Sequence, residues 1–263
     1  MRVRHKSALV VMLLLMFACT GKAATVVAGQ STVAGQSLGQ WTNNWWNWAE
    51  SFGPGPFTDT TGARAGINQS GPVFFVAGTG GNAGPITRNV TVGNDKFIFL
   101  PLINWIVAAG PDPGFPDTKT EAIALATNTI NPANLFATID GVSVPNLASH
   151  REASGADFNL TVVNNNDTGF PPATYNDAYG DGYYLMINPL AAGPHTLHFG
   201  GTSTPFDAGA FQVPPFTIDV TVNLNVVAAG GSSNVPLPGA IFSGPLSGLL
   251  AMVLRNRFGR HRR

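Results

Sequence analysis

The run Phe216-Thr217-Ile218-Asp219-Val220-Thr221-Val222-Asn223-Leu224-Asn225-Val226 decides the fold class of this chain. Apolar and polar side chains alternate without interruption from Thr217 to Val226. Because successive side chains of a strand point to opposite faces, this period of two predicts a strand with one buried face. The sequence therefore predicts a β-rich domain in which this run is the last strand.

Seven further segments show short apolar runs divided by clusters of Gly, Pro and Asn. They predict strands at Pro72–Ala77, Arg88–Val92, Lys96–Pro101, Leu135–Asp140, Phe158–Val163, Gly182–Ile187 and His195–Gly200. Eight strands without a regular alternation of strands and helices favour a mainly β domain over residues 41–227. The expected architecture is an antiparallel β-sandwich, jelly-roll-like, with one or two short helices.

An aromatic stripe predicts a helix at the start of this domain. It consists of Trp41, Trp45, Trp48 and Phe52, at helical spacings of four, three and four residues. Ser37 can cap the helix, and Gly53-Pro54-Gly55-Pro56 ends it. Two interpretations stay open, a helix docked on the sheet and a surface that stacks on sugars. Trp46 lies off the stripe and is expected to be exposed.

A second short helix is predicted at Lys119–Thr129. Thr118 and Glu121 have the spacing of a capping box, and Asn131-Pro132 ends the helix.

Charge is distributed unevenly along the 263 residues. The 14 basic and 14 acidic residues cancel overall, but most basic residues lie at the two ends. Residues 25–234 keep five basic residues against all 14 acidic ones, a net charge of 5 − 14 = −9. This balance excludes a basic nucleic-acid-binding surface on the domain.

Residues 1–24 have the pattern of a secretory signal peptide, expected to be helical. Basic Met1–Lys6 precedes the apolar run Ala8–Ala18, and small residues allow signal peptidase to cut after Ala23. The run is too short for a permanent membrane helix, which needs about 20 apolar residues. The single cysteine, Cys19, would leave with the signal, so the mature protein is expected to lack disulfides. Residues 25–40 are expected to form a flexible segment.

The C-terminal end has three consecutive parts. A linker of small residues spans 228–234, Val235-Pro236-Leu237-Pro238 follows, and an apolar stretch runs from Gly239 to Leu254. Five arginines close the chain: Arg255, Arg257, Arg260, Arg262 and Arg263. A helix over the apolar stretch would be about 24 Å long, against a hydrocarbon core of about 30 Å.

This arrangement over Val235–Arg263 resembles the PEP-CTERM sorting signal of Gram-negative bacteria, in its VPLP variant. Leu237 stands where the commoner form often has a glutamate. The resemblance implies a hydrophobic sorting helix, an exosortase as processing partner, and removal of the tail near the proline motif, with Arg255 and Arg257 behind the helix. An ordinary single-span anchor is the alternative.

The domain itself also resembles a family of secreted bacterial proteins with no assigned activity. The resemblance covers roughly Trp41–Val227 and rests on the runs Gln69–Gly78, Lys96–Asn104, Asp181–Tyr184 and Gly193–Phe199. Members often carry a cysteine pair beside the first of these runs, which this chain lacks. The family supplies no catalytic residues.

Histidines give no catalytic signature. The mature domain holds His150, His195 and His198, and on one strand the last two would point to opposite faces, so they cannot share an ion. The sequence contains no G-x-S-x-G, H-E-x-x-H, P-loop or dinucleotide fingerprint. A Ser-His-Asp triad stays open because its members need not be adjacent in sequence.

Two oxygen-rich segments, 164–167 and 176–182, are candidates for loops that bind calcium. Their candidate ligands are Asp167, Asn176, Asp177 and Asp181, and nearby candidate glycan contacts are Trp46, Tyr175 and Tyr179. Asn, Asp and Gly are also the residues that tight turns require, so the segments have a purely structural interpretation.

Together these features predict an exported, non-enzymatic component of the cell surface or extracellular matrix, with a structural or adhesive role. The tail would hold it in the inner membrane before release to the surface, and exopolysaccharide is a candidate partner. The rival functions are a secreted carbohydrate-binding module and a glycan-active enzyme, either of them calcium-assisted.

Overall fold

A computed structural model of the chain describes residues 24–81, 83–108, 132–154, 158–207 and 212–229, together with Thr120, Ile123, Ala124, Thr127 and Ile130. The expected signal peptide, and the proline motif with its apolar stretch and arginines, lie outside these residues.

The described residues form mainly strands. One α-helix, α1, spans Leu38–Ala49, and a 3-10 turn spans Leu147–His150. The strands are β1 (Thr32–Val33), β2 (Gln36–Ser37), β3 (Val73–Phe75), β4 (Ile86–Gly93), β5 (Phe97–Ala108), β6 (Pro132–Ile139), β7 (Val142–Ser143), β8 (Arg151–Ala153), β9 (Phe158–Val162), β10 (Ala173–Ile187), β11 (Gly193–Ser203), β12 (Phe206–Asp207), β13 (Gln212–Val213) and β14 (Thr217–Val227).

Two larger sheets form a sandwich. The central sheet has the order β3-β5-β10-β8, and β9 also pairs with β10. The outer sheet has the order β4-β14-β11-β6-β7. The sheets are mixed, because β3 runs parallel to β5 and β4 parallel to β14. This corrects the purely antiparallel arrangement expected for a jelly-roll-like sandwich, while the mainly β prediction is confirmed.

The molecule has three layers, because α1 covers the second face of the central sheet. Between the sheets, Ile98 and Leu100 of β5 pack with Val220 and Val222 of β14. On the opposite face of β5, Phe99 packs in a cluster that includes the tryptophans of α1. The central sheet is therefore buried on both faces, and the outer sheet on one.

The helix docks as one of the two interpretations of its aromatic stripe predicted. Trp45 is completely buried and donates from Nε1 to the carbonyl of Val76 at 2.9 Å. Ser37 and Gln40 form the capping box at its start, with Ser37 Oγ accepting from Gln40 N at 3.2 Å. The stripe is thus a packing surface and is not available to stack on sugars.

All eight predicted strands form, but β10 is much longer than predicted. It begins at Ala173, where the sequence indicated a polar loop as far as Asp181. The segment Ala173–Ala178 pairs with β9, and residues from Ala178 onward pair with β5. Partner strands therefore overrode local residue preferences that favour turns.

Three short segments cover the edge of β10 that β5 leaves open. They are β9, β8 and the N-terminal residues 25–27, where Val27 N donates to Met186 O at 2.8 Å. The segment expected to be flexible also forms the β1–β2 hairpin and leads directly into α1 at Leu38. The structured part of the domain thus begins before the predicted boundary at Trp41.

The outer edge of β9 is capped by a side chain of α1. Asn47 donates from Nδ2 to Asn159 O at 3.0 Å and accepts from Thr161 N at 3.1 Å. Unpaired strand edges invite pairing with other chains, and this amide satisfies two groups of the edge.

The second predicted helix, Lys119–Thr129, lies mostly outside the described residues. Its four described positions, Thr120, Ile123, Ala124 and Thr127, are all helical. Within the part of the chain that the structure describes, no helix is both long and apolar enough to span a membrane.

Candidate functional site

Asp167, a candidate calcium ligand, instead fastens two loops together. Its carboxylate accepts hydrogen bonds from Gly55 N at 3.0 Å, Phe57 N at 2.7 Å, and both N and Oγ1 of Thr58 at 3.0 and 2.9 Å. These bonds attach the loop that follows α1 to the loop between β9 and β10. Four donors already occupy the oxygens that calcium would need.

Asp181 is also occupied, by an arginine that the sequence did not place near it. The Asp181 side chain is buried and accepts from Arg151 Nε at 3.2 Å and Nη2 at 3.1 Å. The pairing of β8 with β10 brings Arg151 beside it across 30 positions of sequence. The hydrogen bond to Asp181 raises the pKa of Arg151, so this pair is a structural salt bridge.

The other two candidate ligands, Asn176 and Asp177, are exposed on β10. In the described parts of the chain, no three His, Cys, Asp or Glu side chains are grouped closely enough to hold a metal ion. The structure therefore does not bring Asp167, Asp177 and Asp181 together as a calcium site.

Two of the three candidate glycan contacts are buried. Trp46, expected to be exposed, is only 4% exposed, because Trp45 packs edge-on against it at 4.9 Å and Phe57 covers it from the following loop. Tyr175 is 6% exposed and donates its hydroxyl to Pro171 O at 2.9 Å. Tyr179 is half-buried against Val107, and its burial raises its pKa.

The histidines of β11 are held singly, in agreement with the prediction from their spacing. His195 Nδ1 lies 2.7 Å from Asp140 Oδ2, and His198 Nε2 lies 2.9 Å from Asp219 Oδ1. Each ring has its own carboxylate neighbour, and the two histidines share no ligand position.

Glu50 is a buried acid that the sequence did not single out. It caps the end of α1, is fully buried, and accepts from Thr168 Oγ1 at 3.2 Å through Oε2. Its Oε1 has no hydrogen-bond partner among the described residues. Burial, together with the nearby charge of Asp167, raises its pKa to about 7. Glu50 therefore takes up a proton at a higher pH than an exposed glutamate does.

Arg88 is the corresponding buried cation, and it too has a structural role. Its guanidinium donates to four backbone carbonyls, those of Pro56, Asp59, Ala77 and Gly78. Burial lowers its pKa to about 10. These bonds hold the loop after α1 and the segment after β3 against β4, so the small cavity lined by Arg88, Trp48 and Val90 belongs to the packing of the fold.

The solvent-facing side of the outer sheet carries mainly hydroxyl and amide side chains, and we call it the Thr/Asn face. The register of the four long strands and β7 gives its outward positions. Apart from Gly93, Gly200 and Val227, they are Thr87, Asn89, Thr91, Asn134, Phe136, Thr138, Ser143, Pro194, Thr196, His198, Thr202, Thr217, Asp219, Thr221, Asn223 and Asn225. All sixteen are exposed or half-exposed.

These side chains form rows across the strands. One row runs Ser143, Thr138, His198, Thr221, Thr87 through successive pairs. Hydrogen bonds tie neighbours together: Asn223 Nδ2 donates to Asn89 Oδ1 at 3.1 Å, and the hydroxyls of Thr202 and Thr217 lie 3.1 Å apart. These hydrogen bonds restrict the rotation of the paired side chains.

The sequence contained a signal for this face. The apolar positions of the alternating run 217–226 predict the buried side of the strand. Its polar positions lie on the other side and form the centre of the face: Thr217, Thr221, Asn223 and Asn225. Only strand pairing shows that Thr and Asn also occupy the neighbouring outward positions.

Comparison with known proteins gives little further information. No family model matches the chain, and no curated protein matches it. A solved structure, titled the solution structure of Amebosin, aligns with 10% sequence identity over 59% of this chain and 99% of that chain, with a TM-score of 0.18. A score this low carries no argument about fold or function.

Proposed function

We propose that this protein is an exported, non-enzymatic component of the cell surface or extracellular matrix, with a structural or adhesive role. Its export would use signal peptidase at one end and an exosortase-type enzyme at the other. The single observation that carries the proposal is the order of segments after the last strand: a linker, Val235-Pro236-Leu237-Pro238, an apolar stretch and terminal arginines.

The position of this tail relative to the fold supports removal without damage to the domain. Strand β14 ends at Val227, whose carbonyl accepts from Asn94 N at 2.8 Å, and Ala229 N donates to Asn94 Oδ1 at 2.8 Å. The rest of the linker follows these bonds, and the proline motif follows the linker. A cut near Val235 would therefore leave β14 fully paired with β4 and β11.

The engagement of polar side chains supports a non-enzymatic role over a glycan-active enzyme. Asp167, Asp181 and Arg88 are held by partners within the fold. A glycosidase needs two carboxyl groups about 5–10 Å apart that flank a substrate. The buried acid Glu50 has Asp167 near it, but Asp167 is occupied by the loop at residues 55–58.

Mass spectrometry of the protein from the envelope and the medium of producing cells tests this proposal. We expect a mature N-terminus after Ala23 and a C-terminus near the proline motif. A variant with Pro236→Ala and Pro238→Ala should keep its tail and stay with the membrane, since it alters only the motif. A surface-exposed wild-type protein that still ends at Arg263 would refute the processing.

We also infer an immunoglobulin-like topology for the sandwich, in place of the jelly-roll-like one expected from the sequence. Immunoglobulin-type sandwiches place strands B-E-D side by side in one sheet and C-F-G in the other. The orders β5-β10-β8 and β6-β11-β14 support this assignment, because they keep the same succession along the chain. An experimental structure with another strand order would overturn it.

A further inference from the structure

We propose that the Thr/Asn face of the outer sheet binds a neutral polysaccharide. This inference rests on the proposed surface role and names the ligand class and the surface that would carry it. It replaces Trp46 and Tyr175, which are buried, as the candidate contact residues.

Most side chains of the face carry hydroxyl or amide groups. Hydroxyl and amide side chains each donate and accept hydrogen bonds, as the hydroxyl groups of sugars do. Seven of the sixteen positions are threonine, whose methyl groups add apolar patches between the polar ones. Sugar rings combine C–H and O–H groups in the same way, so both parts of the face have a counterpart on a glycan.

The face carries almost no charge, whereas the domain as a whole is acidic. Charged residues are sparse throughout this chain, at 11% of its residues, and they are sparse on the face as well. The described face has one, Asp219, and it lies against His198 at 2.9 Å. The domain around it has a net charge of −9 over residues 25–234, so an acidic polymer would be repelled whereas a neutral one would not.

The order and size of the face also favour a polymer as its ligand. Adjacent strands lie about 4.8 Å apart and outward side chains recur about every 6.7 Å along a strand, so five strands make a surface about 19 Å wide. The pairs Asn223–Asn89 and Thr202–Thr217 already restrict side-chain rotation, which lowers the entropy lost on binding. Repeated weak contacts along a polymer then add through multivalency.

Co-sedimentation and affinity electrophoresis with named glycans test the proposal on the protein as it is recovered from producing cells. Cellulose, mannan, amylose and dextran serve as neutral probes, and alginate serves as the acidic comparison. We expect binding to at least one neutral probe and no comparable binding to alginate. Failure with all four neutral probes overturns the proposal.

Two substitutions place charge on the face without disturbing the core. Asn223→Lys and Thr87→Lys together change two exposed positions in neighbouring strands, and we expect the Kd for the bound glycan to rise at least tenfold. Thr174→Lys, an exposed threonine on β10 of the central sheet, is the matched control and should change the Kd less than twofold. Equal binding by wild type and the double variant overturns the proposal, provided that both melt at similar temperatures.

Light scattering separates glycan binding from self-association. If the wild type forms dimers that the double variant does not, and binds no glycan, the face is an interface between copies of this chain and the proposal is wrong. Failure of tail processing is measured separately by mass spectrometry, so it would contradict the export route and leave the glycan result standing.

Discussion

The two sheets of the sandwich contain strands of similar length, 12 residues in β5 and 11 in β14, with different patterns of burial. Strand β5 of the central sheet is buried at nearly every position, with the sequence Phe97-Ile98-Phe99-Leu100-Pro101-Leu102-Ile103-Asn104-Trp105-Ile106-Val107-Ala108. Strand β14 of the outer sheet is buried at every second position. The first pattern fits a strand between two apolar layers, and the second fits a strand with one face in water.

The two sheets also differ in whether their second face is covered or open to solvent. Helix α1 removes one face of the central sheet from water, with Trp41, Trp45 and Trp48 packed on it. The outer face of the outer sheet has no such cover in the described structure, and it carries hydroxyl and amide groups in place of charges. The tryptophans of α1 therefore stabilise the fold, while the face proposed for binding consists mainly of threonine and asparagine side chains.

The largest expected effect concerns the helix that makes the central sheet two-sided. Trp45→Ala should lower the free energy of unfolding by about 3–5 kcal/mol, because it removes a fully buried ring between α1 and the sheet. Trp45→Phe is the control that keeps a ring and loses the bond to Val76 O, and should cost about 1–3 kcal/mol. Denaturant unfolding measures both values, and a loss below about 1 kcal/mol for Trp45→Ala would show that α1 is not needed to cover the sheet.

A smaller effect is expected from the acid at the end of α1. The pKa of Glu50 is raised to about 7 in the folded protein and is near 4.5 when unfolded. The folded state thus binds more protons between these values, so the contribution of Glu50 to stability is largest below about pH 4.5, falls as the pH rises to about 7, and then levels. The difference for this group is about 3 kcal/mol.

Glu50→Gln tests this pH dependence because glutamine has the shape of the protonated acid and cannot ionise. Unfolding curves between pH 4 and 8 should lose that part of the slope, and the variant should be more stable than wild type at pH 8. Asn176→Gln, which changes an exposed amide on β10 and no ionisable group, serves as the control and should leave the slope unchanged. An identical slope in wild type and Glu50→Gln would contradict the assignment.

The smallest effect is expected on the Thr/Asn face. Asn225→Ala changes an exposed outward position of β14 and should alter stability by less than about 0.5 kcal/mol. Its neighbour Leu224→Ala, on the buried side of the same strand, should cost about 2–5 kcal/mol. A large loss from Asn225→Ala, seen by thermal or denaturant unfolding, would mean that the face is needed for folding and is not merely open to partners.

Segments with a strong local signal were predicted correctly. The period of two in β14 and the capped aromatic helix form where the sequence indicated, whereas β5 continues to Ala108, beyond the predicted end at Pro101. The polar segment at 173–181 was interpreted wrongly as loop because Asn, Asp and Gly favour turns, whereas pairing with β9 and β5 holds it in a strand. The candidate calcium ligands were chosen because they are close in sequence, but the fold gives them different surroundings: Asp177 is exposed, whereas Asp181 is buried beside Arg151.

Local patterns along the chain predict the mainly β class, the places of eight strands, the helix with its cap, and processed ends. These depend on periodicity, turn residues and composition, which act over a few neighbouring residues. Only the tertiary structure decided that Trp46 and Tyr175 are buried, that Arg151 neutralises Asp181, and that threonines and asparagines from β4, β6, β11 and β14 share one face. Each of these depends on which strands pair and in which register, and such contacts join residues that are far apart along the chain.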